Sequence, residues 1–187
     1  MKRILVVLVM LVLLTACSFD NRKTKDDNMK RYTSLIQTTL DNDKFETKSN
    51  SFNIEATIEK KDEAYKYTVN IDKPNYALYN LEVIAVENNS AANSEKIMPA
   101  IGVFDGPFTL IPNQERPSQG FVKGVSVAGD SLEPTINLKL VVSWKSDNAS
   151  KEHKEFFEYN LEYTEPVVEE SENSENVEET PTEEATE

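Results

Sequence analysis

Apolar and polar residues alternate along most of the middle of the chain, and this period of two predicts β-strands. Residues 52–58 and 65–71 alternate on either side of the charged sequence 60–63, which predicts a hairpin. Alternation or short apolar runs predict further strands at 79–86, 97–104, 108–111, 121–127, 136–144 and 157–163. Turn signals recur about every 8–12 residues, and Gly129-Asp130-Ser131 is interpreted as one of them. Residues 50–164 are therefore predicted to form an antiparallel β-sandwich of seven or eight strands with Ig-like architecture; a small β-barrel is the alternative.

The segment ahead of the strands has a helical rather than an alternating pattern. Met29, Tyr32, Ile36 and Leu40 recur at intervals of three and four residues, which places them on one face of a helix. Asp26 and its neighbours provide a helix cap and favourable charge for the first turn. Residues 26–49 are thus predicted to be one N-terminal helix followed by a loop.

The strand predicted at 79–86 is apolar on both faces. Ile84 and Val86 lie on the face opposite to Leu81, Val83 and Ala85. A strand of this kind must be covered on both sides. We therefore predict that the helix covers the side that does not meet the opposing sheet.

The chain begins with two cations followed by eleven apolar residues, 4–14. This pattern is typical of an export signal, and it is too short for a transmembrane helix, which needs about 20 residues. The sequence that follows, Leu14-Thr15-Ala16-Cys17, resembles the lipobox of bacterial lipoproteins, and Cys17 is the only cysteine of the chain. The resemblance implies cleavage between Ala16 and Cys17, with diacylglycerol and a fatty acid such as palmitate attached to Cys17.

Residues 1–16 are accordingly predicted to be a lipoprotein signal peptide, and residues 17–25 to be the lipidated cysteine and a polar spacer. A location on the extracytoplasmic face of the bacterial cell membrane follows. Basic spacer residues would attract anionic headgroups, but three aspartates between positions 20 and 27 dilute them, so a plain spacer is preferred.

The formal charge of −13 is concentrated at the C-terminal end of the chain. Residues 165–187 contain ten glutamates and neither lysine nor arginine, and they are predicted to form a disordered acidic tail. The tail is interpreted as a solubilising segment, or alternatively as a ligand for a basic partner. Nucleic acid is not expected as a partner, because the sequence has no basic face.

Candidate catalytic groups are few. His153 is the only histidine, it lies between Glu152 and Lys154, and no nucleophile elbow accompanies it, so a solvent-exposed side chain is expected. Asp41-Asn42-Asp43 begins like a calcium loop but has Glu46 where glycine is required. We expect no enzyme activity, no cofactor and no metal site.

The remaining hypotheses concern binding. Tyr76, Tyr79 and Phe156 are candidate surface aromatic residues, although ordinary core packing would also account for them. The preferred function is a non-enzymatic lipoprotein that binds an envelope protein or supports an envelope complex. The alternative is a carbohydrate or cell-wall glycan binding module. A third hypothesis is that residues 9–16 of the leader are released as a peptide pheromone.

Overall fold

The computed structural model describes residues 24–92, 95–146 and 151–165 of the 187-residue chain. The predicted signal peptide, Cys17, most of the predicted spacer and the predicted tail beyond Glu165 lie outside these residues. The described part contains one α-helix, α1, at residues 24–40, followed by eight strands. The strands are β1 (Asn53–Lys61), β2 (Ala64–Asp72), β3 (Leu78–Glu87), β4 (Ala100–Ile101), β5 (Phe108–Leu110), β6 (Gly124–Ser131), β7 (Thr135–Lys145) and β8 (Glu152–Glu162).

The strands form two antiparallel sheets in a sandwich-like arrangement. The three-stranded sheet has the order β1-β2-β6, and the five-stranded sheet has the order β4-β3-β7-β8, with β5 also paired to β3. One hydrophobic core lies between the sheets, and most of its buried side chains come from alternate positions of β2, β3 and β7. The mainly-β, antiparallel prediction is confirmed, as is the number of strands.

The predicted hairpin is present as β1 and β2. Lys61 pairs with Ala64, so the turn consists of Asp62 and Glu63. Asp62 has a φ of 55°, a left-handed conformation that aspartate tolerates better than most residues. The short turn fixes the register that sends the apolar residues of both strands into the core.

Helix α1 packs on the outer face of the five-stranded sheet, as the two-sided β3 pattern predicted. Tyr32, Leu35 and Ile36 form a second buried cluster with Ile84, Val86 and Val141, among others. The Tyr32 hydroxyl donates to the carbonyl of Met98 at 3.1 Å and accepts from its amide at 2.7 Å. Met29, which the pattern placed on the same helix face, is 48% exposed and lies outside the cluster.

The interpretation of Gly129-Asp130-Ser131 as a turn is wrong, because all three residues belong to β6 and pair with β2. Gly129 lies directly opposite Tyr67. A Cβ atom at position 129 would lie 2.3 Å from the Tyr67 hydroxyl oxygen. The glycine therefore makes room for the buried tyrosine rather than reversing the chain.

Candidate functional site

A polar groove of about 930 Å³ lies on the outer face of the three-stranded sheet. Strand alternation explains its floor, because the residues between the core positions of β1, β2 and β6 point away from the core. Glu55, Asn70 and Ser126 form a row across the three strands, and Asn53 and Asp72 form part of the next row.

Two loops border this floor. Residues 73–75 follow β2, and residues 111–115 follow β5. Lys73 and Asn113 have positive φ values of 47° and 58°, which turn the chain sharply at each border. Glu115 and Lys123, which both line the groove, form an exposed ion pair with an N–O distance of 3.1 Å.

Hydrogen bonds hold part of the floor in place. The Asn53 amide donates to Asp72 at 2.7 Å, and the Ser126 hydroxyl donates to the Asn70 carbonyl oxygen at 2.5 Å. Each of these side chains retains donors or acceptors for a ligand. The described lining carries three carboxylates and two lysines, and none of its residues is aromatic. Such a surface offers hydrogen-bonding groups of both charges, and its excess of carboxylates over lysines does not suit a polyanion.

A second cleft, of about 680 Å³, lies beside the start of α1 and contains Arg31. The Arg31 guanidinium donates to Glu82 of β3, with an Nε–Oε2 distance of 2.9 Å and an Nη2–Oε2 distance of 2.5 Å. It also pairs with Glu152 of β8 and donates to the hydroxyl of Ser143 on β7 at 3.2 Å. One helix side chain thus binds three strands of the sheet.

A β-bulge places Glu82 within this cluster. Tyr79 pairs with Lys145, whereas Glu82 pairs with Ser143, so three steps along β3 match two along β7. The extra residue shifts the alternation of β3. Leu78 and Leu81 consequently both face the core, while Glu82 faces the helix.

The ion pairs determine the protonation of the cluster. Burial alone would lower the pKa of Arg31, but its hydrogen bonds and attraction to Glu82 and Glu152 raise it above the ordinary value. Burial alone would raise the pKa of Glu152, but hydrogen bonds from Arg31 and Ser143, together with nearby cations, lower it below the ordinary value.

Lys154 adds a second cation, 3.5 Å from Glu152. Two cations therefore face two carboxylates, and the charges of the cluster balance. This arrangement attaches the helix to the sheet. The Arg31 guanidinium is already bonded to side chains of the protein itself.

The aromatic residues predicted as a binding surface do not form one patch. Tyr76 is 46% exposed, and its hydroxyl donates to Ser51 at 2.7 Å; Ser51 in turn donates to Glu155 at 2.6 Å. Tyr79 is half-buried. Phe156 is half-buried on the opposite side of the sheet, where it packs against the cluster beneath α1.

His153 is half-buried rather than solvent-exposed, since its ring stacks on Trp144 with centroids 5.5 Å apart and an interplanar angle of 11°. Among the residues that the structure describes, no group of three or more histidine, cysteine, aspartate or glutamate side chains could hold a metal ion.

A buried carboxylate lies at the other end of the sandwich. Glu87 accepts from the Tyr67 hydroxyl at 2.5 Å and pairs with Lys96, which also donates to the carbonyl of Asp130 at 2.7 Å. Burial and the Glu87 carboxylate raise the pKa of Tyr67 far above its ordinary value. This network joins the two sheets and the loop that carries Lys96.

Neither the groove nor the Arg31 cluster could be predicted from the sequence. Arg31 and Glu152 lie 121 positions apart, so no local pattern connects them. The groove had a weak signal in Asn53, Glu55, Asn70 and Asp72, the polar half of the alternating hairpin, which resembles any solvated sheet face.

No family model matches this chain, and comparison with curated proteins and with solved structures finds no significant similarity. Within the described residues, no helix has both the length and the apolar character needed to cross a membrane.

Proposed function

We propose that this protein is a lipid-anchored, extracytoplasmic binding module without catalytic activity. The observation that carries the proposal is the Leu14-Thr15-Ala16-Cys17 sequence, in which the only cysteine of the chain follows an export-type apolar run. Cys17 precedes the first described residue of α1 by seven positions. An anchor at this cysteine would therefore be joined closely to the folded domain.

Acylation of Cys17 supplies the membrane affinity. Each buried CH₂ contributes about 0.8 kcal/mol, and two or more chains are needed for stable attachment. The partner of the anchor is the membrane itself. The domain, held at the extracytoplasmic face, remains available to an envelope protein.

The anchor is tested by fractionating bacterial cells that express wild-type protein, Cys17→Ala and the matched control Ser18→Ala. Wild type and the control are expected in the membrane fraction, and Cys17→Ala in the soluble extracytoplasmic or unprocessed pool. Equal membrane association of all three proteins would contradict the proposal.

The binding role is supported by the balanced, protein-occupied charges of the Arg31 cluster and by the open groove on the opposite side of the domain. Cross-linking on intact cells followed by mass spectrometry is expected to recover a discrete envelope partner. Turnover of a substrate by the purified domain in a broad hydrolase panel would contradict the non-enzymatic assignment.

A carbohydrate or cell-wall glycan ligand is the second candidate, and the groove is the specific observation that favours it. Sugar hydroxyls hydrogen-bond to amides and carboxylates, which Asn53, Asn70 and Asp72 provide on a rigid sheet. The small apolar surfaces of Pro74 and Pro112 at the border are available for the C–H faces of a sugar ring.

This candidate is tested by sedimentation with insoluble cell-wall polysaccharide. Asn70→Ala/Ser126→Ala is expected to lose binding, whereas the control Thr57→Ala, at a position on the same sheet outside the groove, is expected to retain it. Wild-type protein that stays in the supernatant, or a double variant that binds equally well, would exclude the groove as a glycan site.

The proposal also covers the arrangement of the two sheets and the state of the C-terminal segment. We infer an Ig-like arrangement of the two sheets and a disordered acidic tail at residues 165–187. Narrow amide dispersion for the tail in an NMR spectrum is expected, and dispersed tail resonances would contradict its disorder.

A further inference from the structure

The start of α1 lies at one end of the sandwich, which we call the near end. Thr24 and Asn28 line the same cleft as Gly106, Lys145 and Glu152. Lys145 is the last residue of β7 and Glu152 the first of β8. The polypeptide that comes from Cys17 therefore enters the domain where β7 ends and β8 begins.

The C-terminal segment leaves from the other end, which we call the far end. Glu162, the last residue of β8, pairs with Thr135, the first of β7. The amide of Tyr163 then donates to the carbonyl of Pro134 at 2.8 Å, which holds the chain beside the turn that precedes β7. Strand β8 has 11 residues, and at about 3.4 Å per residue it separates the two ends by roughly 34 Å.

The connection to the anchor is short compared with this length. Seven peptide steps join Cys17 to Thr24, and even a fully extended chain would span no more than about 25 Å over that distance. The near end is thus restricted to the neighbourhood of the bilayer surface, whereas the far end is not.

Electrostatics favours the same orientation. Between positions 18 and 27 three cations balance three aspartates, so the spacer is not repelled by anionic headgroups. The tail that follows the far end carries ten glutamates and no cation. Anionic lipids would repel this charge over about one Debye length, close to 10 Å at moderate salt.

We propose that the near end is the membrane-facing surface of the domain and that the far end projects outward, with the acidic tail leaving on the side opposite to the bilayer. This inference rests on the proposed anchor at Cys17. The far end is then the surface open to large partners, whereas the groove, which Lys123 borders at the near end, is open to ligands that reach the domain beside the bilayer, such as a single glycan strand.

The two ends of β6 provide a matched pair of labelling positions. Lys123 immediately precedes β6 at the near end, and Leu132 immediately follows it at the far end. Both side chains are exposed, Leu132 to 84%. Because acylation consumes the only native thiol, Lys123→Cys and Leu132→Cys each provide a single site for a fluorophore.

The lipidated full-length variants are reconstituted into vesicles of phosphatidylcholine and phosphatidylglycerol that carry a headgroup quencher in the outer leaflet. The near-end label is expected to lose more of its fluorescence than the far-end label. Equal loss at both positions, or greater loss at residue 132, would overturn the orientation. Flotation with the vesicles separates the two hypotheses, because protein that does not float refutes the anchor rather than the orientation.

Discussion

The outer faces of the two sheets differ in what covers them. On the five-stranded sheet, Ile84, Val86 and Val141 lie beneath α1 and are fully buried. On the three-stranded sheet the corresponding positions are occupied by polar residues such as Thr68 and Asn70, which face solvent in and around the groove.

The helix is therefore an integral layer of the domain rather than a separate spacer. Without α1, a patch of aliphatic side chains would be exposed, and contiguous apolar patches promote association. The opposite face is polar and needs no cover. One side of the domain therefore serves its stability, while the other leaves polar side chains accessible to solvent.

Truncation of an aliphatic side chain that is buried beneath the helix should have the largest effect. Ile84→Ala is expected to lower the free energy of unfolding by roughly 2–5 kcal/mol, because it leaves a cavity between α1 and the sheet. Thr68→Ala, at an outer position of the other sheet, is expected to change it by less than about 0.5 kcal/mol. Urea denaturation of both variants makes the comparison, and similar losses would show that the two faces are equivalent.

The inner and outer sides of β6 offer a second contrast. Gly129→Ala places a methyl group against the Tyr67 ring, and the expected cost is about 1–3 kcal/mol from overpacking. Ser126→Ala, on the outer side of the same strand, should be nearly neutral. If Gly129→Ala were as stable as wild type in thermal unfolding, the close packing of Tyr67 on this glycine would be disproved.

The attachment of the helix by Arg31 should contribute less than the apolar cluster. Arg31→Met keeps much of the aliphatic contact but leaves Glu82 without its partner, and we expect a loss of roughly 1–2 kcal/mol, between the values for exposed and buried ion pairs. Lys30→Met changes the charge equally on an exposed part of the helix, where Lys30 has only a long 3.8 Å contact with Asp27. Amide exchange in α1 should therefore accelerate in Arg31→Met but not in this control.

The smallest expected effect is the pH dependence of the same attachment. The pKa of Glu152 is lower in the folded protein than its ordinary value of 4.5, so the unfolded chain binds more protons in the acid range. The stabilisation is complete above that ordinary value and is lost as the pH falls through the lower, folded pKa. Lowering the pH from about 7 to about 3 should therefore reduce the free energy of unfolding, measured by urea denaturation, more in wild type than in Glu152→Gln. If the free energies of the two proteins fell in parallel with pH, this role of Glu152 would be contradicted.

Much of the fold could be predicted because burial imposes a pattern on neighbouring residues. The two-sided apolar pattern around Ile84 predicted a covering layer, and the alternation around Tyr67 predicted the hairpin. The turn predicted at Gly129 was wrong because, in a sequence, a glycine that leaves room for an aromatic ring cannot be distinguished from a glycine in a turn. The site was harder to predict, since Arg31 and Glu152 meet only after folding and polar positions such as Asn70 carry no mark of a ligand.

Whether an acylated Cys17 holds this domain at the membrane can be measured from the intact mass of the mature protein extracted with detergent from bacterial membranes. The expected mass is that of residues 17–187 increased by a diacylglyceryl group, with or without a further fatty acid. Recovery of the complete 187-residue chain from the soluble fraction, with an unmodified thiol at Cys17, would contradict it.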